Sequence, residues 1–198
     1  MYYIKYIFTN DIMIILYQYY FINLIYYWYH WVLHQPWSGI LYHQHYICHH
    51  KNDYPLKTLR KYNYIESNGG EIIFGVPIVL LLFLNYYLFT FRIFLYFTMN
   101  IMLVAISGEI FHSSYHLHNN AETHPQVPIY VHRFITKLPF YNYLRDMHDI
   151  HHAKKDTNFG FIDFQMDKLF GTYSSNIPPY LKKFQDNINQ ADFNHSDC

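Results

Sequence analysis

Residues 72–107 read IIFGVPIVLLLFLNYYLFTFRIFLYFTMNIMLVAIS and carry a single charge, Arg92. As one straight helix at ~1.5 Å per residue they would reach about 54 Å, against a bilayer hydrocarbon core of ~30 Å. Two short spans joined by a tight turn near Thr90–Arg92 fit that thickness. Such a hairpin returns the chain to the side it left, which matters because histidines crowd both flanks. Residues 12–29 form a second uncharged apolar run that leads straight into His30. Ile7 and Phe8 can extend it past Asn10 and Asp11, and no small-residue cleavage site follows, so it reads as an anchor rather than a removed signal peptide. The Tyr and Trp density over 26–31 fits an aromatic belt at a membrane interface. Charged residues make up only 14% of the chain, where a soluble domain carries about 25%. The expected fold is therefore all-α, an integral membrane helical protein. The formal net charge of zero gives no reason to expect a nucleic-acid partner. Two cysteines, Cys48 and Cys198, make no disulfide framework.

The chemistry lies in the histidines. His148, His151 and His152 stand at i, i+3 and i+4, on one face of a helix. His30 and His34 repeat the i, i+4 spacing, as do His112 and His116. His45, His49 and His50 form a looser triplet. Together these groups take ten of the fifteen histidines. Converging neutral imidazoles are the commonest protein donors to a metal, and ten are too many for one tetrahedral or octahedral ion, so the count argues for two. A hairpin over 72–107 brings the groups at 30–50 and 112–152 to one side of the bilayer, where a His-rich helical cap would carry the di-metal site. Lys5 and Arg92 then fall on the far side and the other twelve of fourteen Lys and Arg on the His side. By the positive-inside rule the His side is cytosolic.

Ligand histidines need acceptors that fix tautomer and ring orientation. Glu109, three before His112, is placed for this, and Asp146, Asp149, Asn158 and Asp167 are further candidates; the plain alternative for each is a surface charge or a helix cap. His43, His118, His124, His132 and His195 lack a helical partner and read as interfacial or loop residues, with His43 also a substitute ligand for the second group. The chain divides into an anchor over 1–29, a domain over 30–173 with a turn at Asn68-Gly69-Gly70, and a polar tail over 174–198 opened by Pro178-Pro179.

The ordered set H-x3-H, H-x3-H-H, E-x2-H-x3-H and H-x2-H-H around a hydrophobic hairpin resembles the fatty acid hydroxylase/sterol desaturase superfamily of membrane di-iron enzymes. Asn158-Phe-Gly160 and Asp167-Lys-Leu-Phe170-Gly171-Thr172 resemble that family's closing N-x-G and W-D-x-x-F-G-T, with Met166 where Trp is usual. Tyr26 to His30 resembles its aromatic lead-in. Two positions depart from the pattern. Trp31 follows the first histidine where Arg is usual, and the second group has Tyr46 where H-x-x-H-H would put a ligand, leaving His45 one step early.

The resemblance implies two iron ions held by His30, His34, His45, His49, His50, His112, His116, His148, His151 and His152, with zinc the other ion that an isolated protein can carry. It implies a dioxygen-dependent lipid hydroxylase or desaturase in the endoplasmic reticulum or an equivalent membrane, acting on a fatty acyl chain or sterol. Imidazole alone does not select the metal, but oxidising an unreactive C–H bond requires a redox ion, which zinc is not. No G-x-G-x-x-G or haem module accompanies the motifs, so electrons would come from a separate donor, such as a b-type cytochrome or a ferredoxin-like protein. Lys154-Lys155 and Lys57, Arg60 and Lys61 could meet anionic headgroups or an acidic donor. The alternative is a non-catalytic or zinc-binding membrane protein that keeps the fold.

Overall fold

The computed structural model describes residues 2–52, 78–87, 90–116, 128–160 and 162–179; the side chains of 2–10, Cys48, Lys51, Asn52, Glu109, Ser113 and His116 lie outside the description. Among the described residues every regular element is helical. α1 (Tyr2–Leu33) is followed by a short 3-10 turn, Pro36–Ser38, and by α2 (Ile40–Tyr42), which runs on as a π-helix over His43–Asn52. Then come α3 (Ile78–Tyr87), α4 (Phe91–His116), α5 (Ile129–Ile135), α6 (Tyr141–Ala153) and α7 (Gln165–Phe170). α1 stops where it does because Pro36 pushes Gln35 into an extended conformation, φ −95° and ψ 126°. Gly39, at φ +64°, then turns the chain back into α2.

α1 and α4 run parallel. Asp11 pairs with Arg92 at one end. Further along, Gln18 donates to the Ile93 carbonyl at 3.2 Å and Asn100 to the Ile15 carbonyl at 3.1 Å. Ile22 and Tyr26 then pack on Phe97, Ile101 and Val104, with Ile78, Leu81 and Leu82 of α3 against the same cluster. α3 folds back against α4, its Tyr86 ring 5.8 Å from Phe94. From the Asp11–Arg92 pair to His30 and His112, each helix rises about 30 Å at ~1.5 Å per residue, which is the thickness of a bilayer core. α3 lies in the first half of the apolar run and α4 takes its second half; residues 72–77 lie outside the described residues.

The polarity of this three-helix unit is inverted. Gln18, Asn85 and Asn100 are buried inside, while Tyr17, Phe21, Leu80, Phe83, Met99 and Leu103 are exposed on the outer face. Among the described residues one helix, over Phe91–His112, is long and apolar enough to cross a membrane. α1 is as long, but its tyrosines make it less apolar.

The parallel ends of α1 and α4 carry the histidine-bearing cap. Its core is Tyr115 of α4, Ile135 of α5, Tyr141, Leu144, Met147 and Ile150 of α6, and Phe164. His132 sits here too, buried on α5 beside Ile135. It was expected in a loop or at an interface. Its burial follows from spacing: three residues from Ile135, it shares that helix face, and burial lowers its pKa. The start of the polar tail is also held, because Ser174 donates to Asn158 and Ile177 packs on the cap core.

Candidate metal centre

Nine histidine rings meet at the C-terminal ends of α1 and α4 and sort into two groups. His30, His34, His45, His50 and His151 form one; His49, His112, His148 and His152 form the other. Within each, one ring nitrogen from every residue lies within 4.8 Å of the rest. Eight of the nine are no more than 8% exposed, His112 being half-buried. Each adjacent pair splits: His49 and His152 go to one group, His50 and His151 to the other. The two groups touch through the stacked rings of His50 and His152, 4.1 Å apart. The side chain of His116 lies outside the described residues.

Local structure explains the second histidine group. In an α-helix, at 3.6 residues per turn, His45 and His50 would point about 140° apart. The π-helix over His43–Asn52 closes i→i+5 rings and winds more loosely, so residues four and five apart share a face. It absorbs the extra residue of H-x3-H-H. His45 is buried with its Nε2 2.9 Å from that of His30, and His43 is exposed. Of the two candidates for that position, the structure brings in His45.

Electrostatics favour a cation. Burial, followed by repulsion from neighbouring imidazoles, holds His30, His34, His45 and His50 well below the ordinary value of 6.5. Burial takes His49 to about 3 and His151 to about 4. These rings are neutral at pH 7. The Nδ1 of His30 donates to the Phe159 carbonyl and the Nδ1 of His151 to the Thr157 carbonyl, each at 2.6 Å. A carbonyl oxygen only accepts, so in both neutral rings Nε2 carries the lone pair. Those two lone pairs face each other at 3.1 Å. Both ring nitrogens of His34 are buried without a hydrogen-bond partner. Leaving such groups unpaired in a dry interior costs about 1–3 kcal/mol each; a shared cation removes the cost. The geometry agrees. Two nitrogens ~2.1 Å from one ion and at right angles are about 3.0 Å apart, and the closest Nε2 pairs here lie at 2.9 to 3.2 Å. The residues present therefore fit a metal in each group.

The acceptors that orient His30 and His151 are backbone carbonyls of the loop 157–160, which reasoning from side chains missed. The readable signal was the Asn-Phe-Gly sequence itself. Asn158 adopts a left-handed φ of 52°, a conformation Asn tolerates far better than most residues. Its side chain binds the carbonyls of Met147 and Ser174 and the Ser174 amide. A Cβ on Gly160 would collide with the Asp163 carbonyl. Asp167 is fully buried and accepts from the amides of Phe159 at 2.7 Å and Gly160 at 2.9 Å and from the Thr172 hydroxyl at 2.8 Å. Asn158 and Asp167, expected to bond the histidines directly, instead hold the loop that does. Asp149 is buried on α6 between His148 and Ile150, Asp146 pairs with Arg145 at 3.6 Å, and the Glu109 side chain lies outside the described residues. The same holds for Asn68 to Gly70, Lys57, Arg60, Lys61, His118, His124 and His195.

An apolar cleft of about 840 Å³ lies between α4 and α5, lined by Met99, Leu103, Ile106, Phe111, Val131 and Phe134 among others. It reaches Ile110 and Phe111, directly before His112.

A model of one protein family, described as fatty acid hydroxylase, matches residues 15–172. No curated protein and no solved structure matches the chain.

Proposed function

Since the chain belongs to the fatty acid hydroxylase family, we propose that it is a membrane-bound di-iron oxygenase that hydroxylates or desaturates a fatty acyl chain or sterol. The observation that supports this reading is the convergence of His30 and His151, their Nε2 atoms 3.1 Å apart in a buried nest of neutral imidazoles. Two groups of such donors call for two ions. Imidazole donors would suit iron among other ions, and iron is the redox ion that the family resemblance implies. Bound iron supplies the dioxygen chemistry needed to take hydrogen from an unactivated C–H bond.

The chain's own residues supply the rest. His30, His34, His45, His50 and His151 would hold one ion, and His49, His112, His148 and His152 would hold the other, with His116 the tenth ligand that the family resemblance implies. The carbonyls of Thr157 and Phe159 take the Nδ1 protons of His151 and His30, so that Nε2 is the atom that would ligate. Tyr115, its ring 5.2 Å from His148, closes one side of the centre against water. The inverted polarity of α1, α3 and α4 supports a bundle immersed in lipid, since apolar side chains face outward and amides inward. An acyl chain lying in the cleft between α4 and α5 would end beside His112. The distribution of Lys and Arg supports a centre facing the cytosol, and the family resemblance supports the endoplasmic reticulum or an equivalent membrane. The substrate contributes two of the four electrons that dioxygen takes up, and a separate b-type cytochrome or ferredoxin-like protein supplies the other two. Lys154 and Lys155 are exposed beside the centre, Lys155 lying 5.4 Å over the Tyr46 ring, and offer an acidic donor a landing place. The π-helix removes the motive for a non-catalytic reading, because it restores the ligand that the spacing displaced.

The test is lipid profiling by mass spectrometry of a host expressing the chain or its His151→Ala variant, with metal analysis of the purified proteins. A hydroxylated or newly unsaturated lipid made only by the wild type, with about two irons per chain, is the expected result. Identical lipid profiles from both would overturn the reading.

A further inference from the structure

Asp167 is a fully buried carboxylate that forms no ion pair among the described residues. Its oxygens take three hydrogen bonds from Phe159, Gly160 and Thr172. The peptide unit joining Phe159 to Gly160 is the telling one. Its N–H donates to Asp167 Oδ2 at 2.9 Å, and its carbonyl accepts from His30 Nδ1 at 2.6 Å. One peptide group thus stands between a carboxylate and a ligand imidazole. Metal-bound histidines commonly donate their second N–H to a carboxylate, which orients the ring and raises its basicity. Here a peptide is inserted into that contact, and hydrogen bonds in a chain polarise one another in a low-dielectric interior. A second strand of the network runs beside it. The Asn158 amide donates to the Thr172 carbonyl at 3.1 Å, while the Thr157 carbonyl of that same peptide accepts from His151. Thr172 returns to Asp167 through its hydroxyl. Both histidines reached this way, His30 and His151, belong to the same ion group.

We propose that Asp167 is a positioning residue for one of the two ions: acting through the Phe159–Gly160 peptide, it sets the affinity of the His30 group and leaves the His49 group untouched. The proposal rests on the metal reading given above. The carboxylate supplies negative charge close to the His30 ion without ligating it. It also fixes the ring so that Nε2, not Nδ1, meets the ion.

Cobalt(II) is a suitable probe, because its visible absorption reports nitrogen coordination at each ion position without turnover. Full-length protein in detergent, stripped by chelator, should bind two equivalents. Asp167→Asn keeps the side-chain volume but removes the charge and one acceptor. It is expected to bind one equivalent as tightly as wild type and the other about 10–100-fold more weakly, the range seen when such outer partners are lost. A double-mutant cycle assigns the loss. Adding Asp167→Asn to His34→Ala should do little more, since the His30 group is already impaired. Adding it to His112→Ala should weaken the one site that remains. Thr172→Ala, which deletes one donor to the carboxylate and spares its charge, should give the same selective loss in smaller degree and covers a failure of Asp167→Asn to fold. Two equivalents of unaltered affinity in Asp167→Asn, or an equal loss at both positions in a folded variant, would overturn the proposal. A wild type that binds no cobalt would instead overturn the metal reading itself.

Discussion

Acid should destabilise the metal-stripped protein, and His151 should account for a definite share of the loss. Burial holds that imidazole at about 4, against an ordinary value of 6.5, although its bond to the Thr157 carbonyl pulls the other way. Between those two values the unfolded chain binds a proton that the folded chain refuses, so stability falls as pH falls. Above 6.5 neither state is protonated and the effect vanishes; below about 4 both are, and the loss reaches its limit. At about 1.4 kcal/mol per pH unit, the full loss from this one group is about 3 kcal/mol, of which about 2 kcal/mol has gone by pH 5. For a chain of this size 2 kcal/mol lowers the melting temperature by about 4–8 °C. The measurement is thermal unfolding of chelator-treated protein in detergent, from pH 7.5 to 5, beside His151→Gln, which cannot titrate. The variant's curve should be flatter than wild type by that amount. His49, held at about 3 by burial, should contribute in the same direction over a wider window. Parallel curves for the two proteins would refute the idea that His151 is kept neutral by burial. Bound ions should remove most of the pH dependence down to the point where protons displace them.

Three further outcomes follow from single features. Gly160→Ala places a methyl against the Asp163 carbonyl, so the loop must shift; we expect a loss of about 1–3 kcal/mol and weaker cobalt binding at the His30 group, read by thermal unfolding and titration. Deleting Ile47 shortens the second group to His45-x-x-His-His, which an ordinary α-helix presents on one face; two ions should still bind, whereas His45→Ala should weaken binding, and loss of both ions from the deletion would contradict the π-helix account. Accessibility tags on the two chain ends should report opposite sides of the membrane, as the parallel α1 and α4 with α3 between them require; tags on the same side would rule out that topology.

Much of the protein was legible before any coordinate. Period and hydropathy separate apolar spans from His-bearing flanks, because a span must satisfy its backbone within itself and show lipid an apolar surface. Imidazoles at i, i+3 and i+4 advertise a shared face, because helix geometry alone decides it. The count of ten argues for two ions, because coordination numbers are small. What lay beyond reach depended on partners distant in the chain. Which histidine joins which group was decided by packing, which sends His49 and His50, and likewise His151 and His152, to opposite groups. That His45 joins the nest in spite of its spacing depended on a π-helix that no local propensity announces. That Asn158 and Asp167 serve the centre through carbonyls of Thr157 and Phe159 could not be read from side chains, since backbone acceptors are the same at every position and only the fold aims them. Sequence by itself determined the helices, the apolar spans and the supply of donors. Tertiary structure alone decided their convergence, because ligation requires lone pairs to meet within ångströms across 121 residues of chain, as His30 and His151 do.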